Sequence, residues 1–140
     1  MLKTIPKNLS PDLLKTLMEM GHGDEIVIAD GNFPSASNAK RLIRATGLDI
    51  PPLLSDILTL FPLDTYVPHS ITFMQVVEGD PTPTIWNTYT QIISTHDTQA
   101  KIEKIDRFEF YERARNAYAI LATSESALYA NIILKKGVVK

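Results

Sequence analysis

The sequence contains no cysteine. That single absence excludes disulfides, a thiolate nucleophile and every zinc or iron–sulfur site built on Cys. No glycine-rich phosphate loop occurs, nor the Gly-x-Ser-x-Gly elbow of a serine hydrolase. The three histidines, His22, His69 and His96, lie far apart and show no metal-ligand spacing, so no metal and no cofactor are expected. No apolar run approaches the roughly 18 residues a membrane helix needs. Charge of one sign is missing too: 14 basic and 16 acidic residues leave a formal −2, which calls for neither nucleic acid nor a membrane surface as partner. The densest basic group, Lys135, Lys136 and Lys140, is short and reads as a solvated strand end. Met1 to Ser10 holds two lysines and no apolar core segment, so no secretory signal is expected.

What is present suits one domain over residues 1–140. A chain of this length buries roughly 68% of its unfolded surface, enough for a core without staples. Apolar residues make up 44% and charged residues 21%, ordinary for a globular protein. Ser10-Pro11-Asp12 opens a helix, with a cap, a preset φ and a charge suited to the helix dipole. Leu13, Leu14, Leu17 and Met18 then recur at helical spacing, and Gly21 is the expected C-cap. Ile26-Val27-Ile28-Ala29 is apolar on both faces, as a buried strand of an α/β sheet is, and ends at the turn signal Asp30-Gly31. Residues 32–38 read as a polar connection and 39–45 as a short further element. A helix is expected through Leu53 to Phe61, a strand over Ile71 to Val77, a helix over Thr84 to Ser94 and a strand over Ile102 to Ile105. A helix over Phe108 to Asn116 and strands over Tyr118 to Ala122 and Asn131 to Leu134 complete the pattern. The alternation predicts an α/β fold.

Four segments carry candidate chemistry. In Gly21-His22-Gly23-Asp24, flanking glycines leave the imidazole accessible, and histidine exchanges protons near neutral pH. By itself the segment reads equally well as a helix end with an exposed histidine. Asp30 stands at the carboxyl end of an apolar strand, where ligands of open α/β sheets collect, although an ordinary Asp-Gly turn is the commoner explanation. Tyr129 and Asn131 bring a hydroxyl and an amide to one face if their backbone alternates, which suits a hydroxyl-rich ligand or a cross-strand pair. Asp106-Arg107 offers a fixed cation or a plain surface pair, and Tyr111 follows Arg107 by one turn. Asp64 reads as loop and Met74 as core.

Four stretches together give the sequence a likeness beyond local chemistry: Met1 to Ile5, LMEMGHGDEIVIAD from Leu17 to Asp30, IDRFEFYERA from Ile105 to Ala114, and YANIILKKGV from Tyr129 to Val138. In this order and spacing the chain resembles the L-fucose mutarotase and D-ribose pyranase family from end to end. The resemblance implies a single-domain, RbsD-like α/β fold with a central sheet flanked by helices, and a cofactor-free isomerase. It implies proton transfer by His22 and sugar binding by Asp30, Tyr129 and Asn131. Arg107, within Asp-Arg-Phe, marks the fucose branch, because the pyranase branch commonly has histidine at the matching place. Tyr111, Asp64 and Met74 match further positions that line the site. The implied partner is a small sugar, L-fucose or else D-ribose or a related sugar. The implied assembly is a homo-oligomer, often a decameric ring, with sites near subunit contacts; Leu128, Val138 and Val139 supply apolar surface for such contacts. A cytoplasmic location goes with this reading. D-ribose pyranase activity and a non-catalytic sugar-binding module are the alternatives.

Overall fold

The computed structural model describes residues 1–140. Its elements alternate as α1 Pro11–Glu19, β1 Glu25–Ala29, α2 Ser35–Asn38, β2 Leu42–Ala45, α3 Ile50–Leu60, β3 Ile71–Met74, α4 Ile85–His96, β4 Ile102–Ile105, α5 Arg107–Asn116, β5 Ala119–Thr123 and β6 Ile132–Lys135. The start of α1 is set by its cap, since Ser10 Oγ accepts from the Leu13 amide at 3.1 Å. Its end departs from expectation. Met20, not Gly21, is the C-cap, and the Gly21 amide instead donates to the Asp24 carboxylate at 2.7 Å. Helix α3 begins at Ile50, before the apolar pattern does, because Pro51 and Pro52 fall in a first turn where a missing N–H is harmless. The stretch read as a polar connection contains the short α2, and the uncertain element after it narrows to β2. Strand β3 stops at Met74 rather than Val77; the Gln75 amide makes one more bond, to the Ile105 carbonyl at 2.7 Å, and the chain then leaves the sheet. No helix is long and apolar enough to cross a membrane.

The six strands lie in the order β2-β5-β1-β6-β3-β4. All are parallel except β6, which runs antiparallel between β1 and β3. Strand alternation sorts the side chains into two apolar layers. Ile26, Ile28, Ile132 and Leu134 face α1, α3 and α4, whereas Val27, Ala29, Ile133 and Ile120 face α5. Both faces are therefore covered, which is why β1 reads as a continuous apolar run. Each Ile or Leu so buried stabilises the fold by about 1.5–3 kcal/mol.

This topology gives the sheet two unlike edges. At one lie the carboxyl ends of the five parallel strands and the start of β6. At the other lie the starts of those strands and the end of β6. Lys136 belongs to the second edge and is not merely solvated. Its ammonium donates to the Leu17 carbonyl at 2.7 Å and to the Met20 carbonyl, neutralising the free end of α1. Gly137 follows, and its amide donates to the Pro62 carbonyl at 2.8 Å. A Cβ at this glycine would stand 2.5 Å from the Leu63 carbonyl oxygen, so only glycine allows this crossing.

Candidate functional site

At the carboxyl edge a cavity of about 210 Å³ opens between the ends of β1, β3 and β4 and the approach to β6. It falls below the roughly 300–1,000 Å³ of drug-sized pockets, so it suits a small ligand. Its position follows the rule that open α/β sheets bind ligands beyond their strand carboxyl ends. Six of the residues singled out in the sequence converge here: Asp30, Met74, Arg107, Tyr111, Tyr129 and Asn131. Asn32, Phe33, Val77, Asp80 and Leu128 complete the wall.

The polar groups are held by their own neighbours. Asp30 is buried, its amide donates to Asn131 Oδ1 at 2.8 Å, and its carboxylate accepts from the Asn32 amide at 3.0 Å. Burial pushes the Asp30 carboxyl above its ordinary range and the nearby Glu125 charge adds to this, outweighing the amides of Asn32, Ala130 and Phe33 that pull it down. Arg107 is the first residue of α5, and Asp106 caps that helix by accepting from the Phe108 and Glu109 amides. Asp106 is therefore a helix cap rather than a partner for the guanidinium. Tyr111 lies one turn further along α5 and is fixed by an edge-on contact with Phe33, ring centroids 5.4 Å apart. Donors on Arg107 and Asn131 thus line the same cavity as acceptors on Asp30 and Asp80, with the Tyr111 hydroxyl able to do either. This is the inventory a polyhydroxylated ligand needs.

Tyr129 departs from the strand alternation expected of it. Its φ is +56°, in the left-handed region, and β6 begins only at Ile132. A tyrosine there costs on the order of 1–3 kcal/mol and persists only where the surroundings impose it. Helix α4 does so. The Trp86 indole donates to the Tyr129 carbonyl at 3.0 Å, and the fully buried Tyr89 hydroxyl donates to the Ala130 carbonyl at 2.7 Å. The sequence pattern treats Trp86 and Tyr89 only as a helix face. The signal available was chemical: a buried indole or phenol must find an acceptor. Asn32, Phe33, Val77 and Asp80 also line the cavity without having been singled out in the sequence, and Glu125 acts from behind it. Glu125 is buried and ties the turn after β1 to α3, accepting from the Ile50 amide at 3.1 Å while its carbonyl accepts from Gly31 at 2.8 Å.

His22 and Asp64 lie elsewhere. His22 precedes β1 and Asp30 follows it, so a strand of five residues, about 17 Å at 3.3 Å per residue, separates them. At that far edge Asp64 Oδ1 is 3.1 Å from His22 Nε2 and accepts from the Tyr66 amide at 3.0 Å. The Asp64 side chain is only 3% exposed against 44% for His22, so it orients the ring and leaves the ring facing outward. Burial pushes the Asp64 carboxyl up, but the Tyr66 amide and the His22 ring outweigh it and hold it below the usual carboxylate range. Tyr66, 67% exposed, packs against the imidazole with centroids 5.3 Å apart. One chain thus carries a small polar cavity at one edge and an Asp–His pair at the other. No group of three His, Asp or Glu side chains gathers to hold a metal ion.

Similarity to known proteins extends over nearly the whole chain. The model of the RbsD / FucU transport protein family matches residues 3–139. A fucose mutarotase of Mus musculus is 53% identical over 97% of this chain and 94% of its own length. An L-fucose mutarotase of Histophilus somni (strain 2336) is 49% identical over 99% of this chain and 97% of its own. The crystal structure of the Streptococcus pneumoniae fucose mutarotase in complex with L-fucose superimposes with a TM-score of 0.96 at 64% identity, over 99% of this chain and 100% of that one. With the family model matching residues 3–139 and relatives about half identical over nearly the whole length, the chain belongs to the RbsD/FucU family.

Proposed function

We propose that this chain is an L-fucose mutarotase, a cofactor-free isomerase that interconverts the α and β anomers of the sugar. The observation that carries the proposal is the cavity at the carboxyl edge, whose Asp30, Arg107, Tyr129 and Asn131 match a hydroxyl-rich ring. The full-length likeness to proteins named fucose mutarotase selects the sugar and the reaction. In that reaction the proton on the anomeric oxygen is removed and the bond from the anomeric carbon to the ring oxygen breaks. Its electrons go to the ring oxygen, which takes up a proton, and an open-chain aldehyde results. Rotation about one carbon–carbon bond and the reverse steps close the ring on the other face. General acid–base catalysis contributes about 10²–10⁴-fold, a fitting scale for a reaction that already proceeds in water.

In this reading Arg107 orients the sugar and favours negative charge developing on oxygen. Asp30, Asn131 and Tyr129 hold hydroxyls, Tyr111 stacks or hydrogen-bonds, and Met74 lines the floor. His22 moves the proton, and Asp64 acts through His22 by fixing its ring. Because a single chain separates these groups by the length of β1, the His22 that serves a cavity comes from a neighbouring copy. Such an edge-to-opposite-edge contact is heterologous, and heterologous contacts whose rotation closes generate rings, in keeping with a homo-oligomer such as a decamer. Exposed apolar side chains at both edges support it: Tyr66 and Val139 near His22, Phe108 and Leu128 near the cavity. A cytoplasmic location is part of the proposal and suits a cysteine-free chain.

Saturation-transfer NMR of anomer exchange, run with L-fucose and with D-ribose, tests the proposal. Acceleration for fucose is expected. Acceleration for ribose alone would make the chain a pyranase instead. Saturable fucose binding without acceleration would reduce it to a binding module, the outcome that a cavity lacking His22 in its own chain would favour if no oligomer formed.

A further inference from the structure

Between β3 and α4 the chain crosses the mouth of the cavity. Val77-Glu78-Gly79-Asp80 forms a turn there. The Asp80 amide donates to the Val77 carbonyl at 3.1 Å, and Gly79 has φ +94°. Gly79 occupies the third place of the turn, the one that in a type II turn requires a left-handed residue. Both ends of this turn hold the same atom. The Val77 amide donates to the Tyr129 hydroxyl oxygen at 3.3 Å, and that hydroxyl donates its proton to the Asp80 carboxylate. A phenol has one proton and two lone pairs. With the proton committed to Asp80 and one lone pair to Val77, Tyr129 keeps a single acceptor site for a ligand hydroxyl. The backbone of Tyr129 is held from behind by Trp86, so the ring is gripped at both ends.

We infer that Asp80 is a positioning residue of the sugar site. It acts through Tyr129, fixing the phenol over the cavity as a hydrogen-bond acceptor. The inference rests on the mutarotase reading of the cavity but concerns a residue that reading does not use. It explains why a strained tyrosine can serve as a fixed binding group: the turn removes the rotational freedom that a lone phenol would lose on binding.

The test compares the parent with D80A, D80N, Y129F and D80A/Y129F. Anomer exchange is followed by NMR over a range of L-fucose concentrations, and L-fucose binding is titrated through the fluorescence of Trp86. D80A is expected to raise KM and Kd about tenfold with kcat within about twofold, the split of an interaction used equally in ground and transition states. D80N is expected to recover most of the loss, because Asn Oδ1 still accepts from the phenol. In the Y129F background D80A is expected to add less than about twofold, since the pair acts as one unit. D80S replaces D80A if the alanine variant does not fold. A D80A enzyme equal to the parent overturns the inference. So do D80A and Y129F losses that multiply, which would mean that Asp80 meets the sugar directly. Coupled Kd values in a parent that does not accelerate exchange would overturn the mutarotase reading and keep the Asp80 role, whereas a parent that neither binds nor exchanges fucose overturns both.

Discussion

Mixing two inactive variants tests whether the catalytic site is shared between copies. H22A removes the ring proposed to move the proton at one edge of the sheet, and R107A removes the guanidinium at the other. Each substitution alone is expected to lower exchange by about 10²-fold or more, the low end of what acid–base groups contribute. The two edges are separated by β1, about 17 Å of strand, so no side chain of one copy spans them. If each site takes His22 from one copy and Arg107 from the next, a random equal mixture restores some sites completely. Half of the copies offer an intact His22 and half an intact Arg107, so about one quarter of the sites in a ring are intact. The variants are unfolded together, refolded as a mixture, and assayed by NMR of fucose anomer exchange beside each variant refolded alone. Recovery to about 25% of the parent rate is expected, at least about 25-fold above either variant. Native mass spectrometry confirms that mixed assemblies formed. Mixed assemblies with no more activity than the average of the two variants would refute the shared site and, with it, the role of His22.

Three further outcomes follow from the geometry. Asp30 has a folded pKa raised above its unfolded value, so its contribution to stability is present below the unfolded value and is lost as pH rises through the folded one. D30N is therefore expected to bind fucose more weakly yet melt higher than the parent at pH 7, with the difference shrinking toward pH 4; a lower melting temperature at pH 7 would contradict this. Y89F leaves the buried Ala130 carbonyl without its 2.7 Å donor and is expected to cost about 1–3 kcal/mol, read as a drop in thermal midpoint and loosened fucose binding through Tyr129. G137A puts a methyl group 2.5 Å from the Leu63 carbonyl oxygen and 2.9 Å from Asp64 Cα, so the backbone carrying Asp64 must shift. Lower stability and a lower kcat with little change in KM are expected; a variant that matches the parent in calorimetry and exchange would show that the crossing yields cheaply.

Local sequence was enough for much of this molecule. Ser10 and Pro11 start α1, and the unbroken apolar run of β1 announces a strand covered on both faces, because capping, fixed φ and side-chain period act within a few residues. Asp30 was legible for the same reason: an acid just after such a strand sits where α/β ligands bind. Arg107 and Tyr111 were legible as a pair one helical turn apart, and both do line the cavity. Tertiary structure decided the rest. The direction of β6, the left-handed Tyr129 and the grip of Asp80 on its hydroxyl have no local signature, since each depends on partners far along the chain. The bond from the Asp30 amide to Asn131 joins residues 101 apart, and the Asp80–Tyr129 contact spans 49. Above all, the sequence marks His22 and Asp30 as neighbours only eight positions apart, while the strand between them carries them to opposite edges of the sheet. An extended chain advances about 3.3 Å per residue, so closeness in sequence here becomes separation in space. Residue chemistry was thus set by the sequence alone, and which groups share a cavity was set by hydrogen bonding between distant segments.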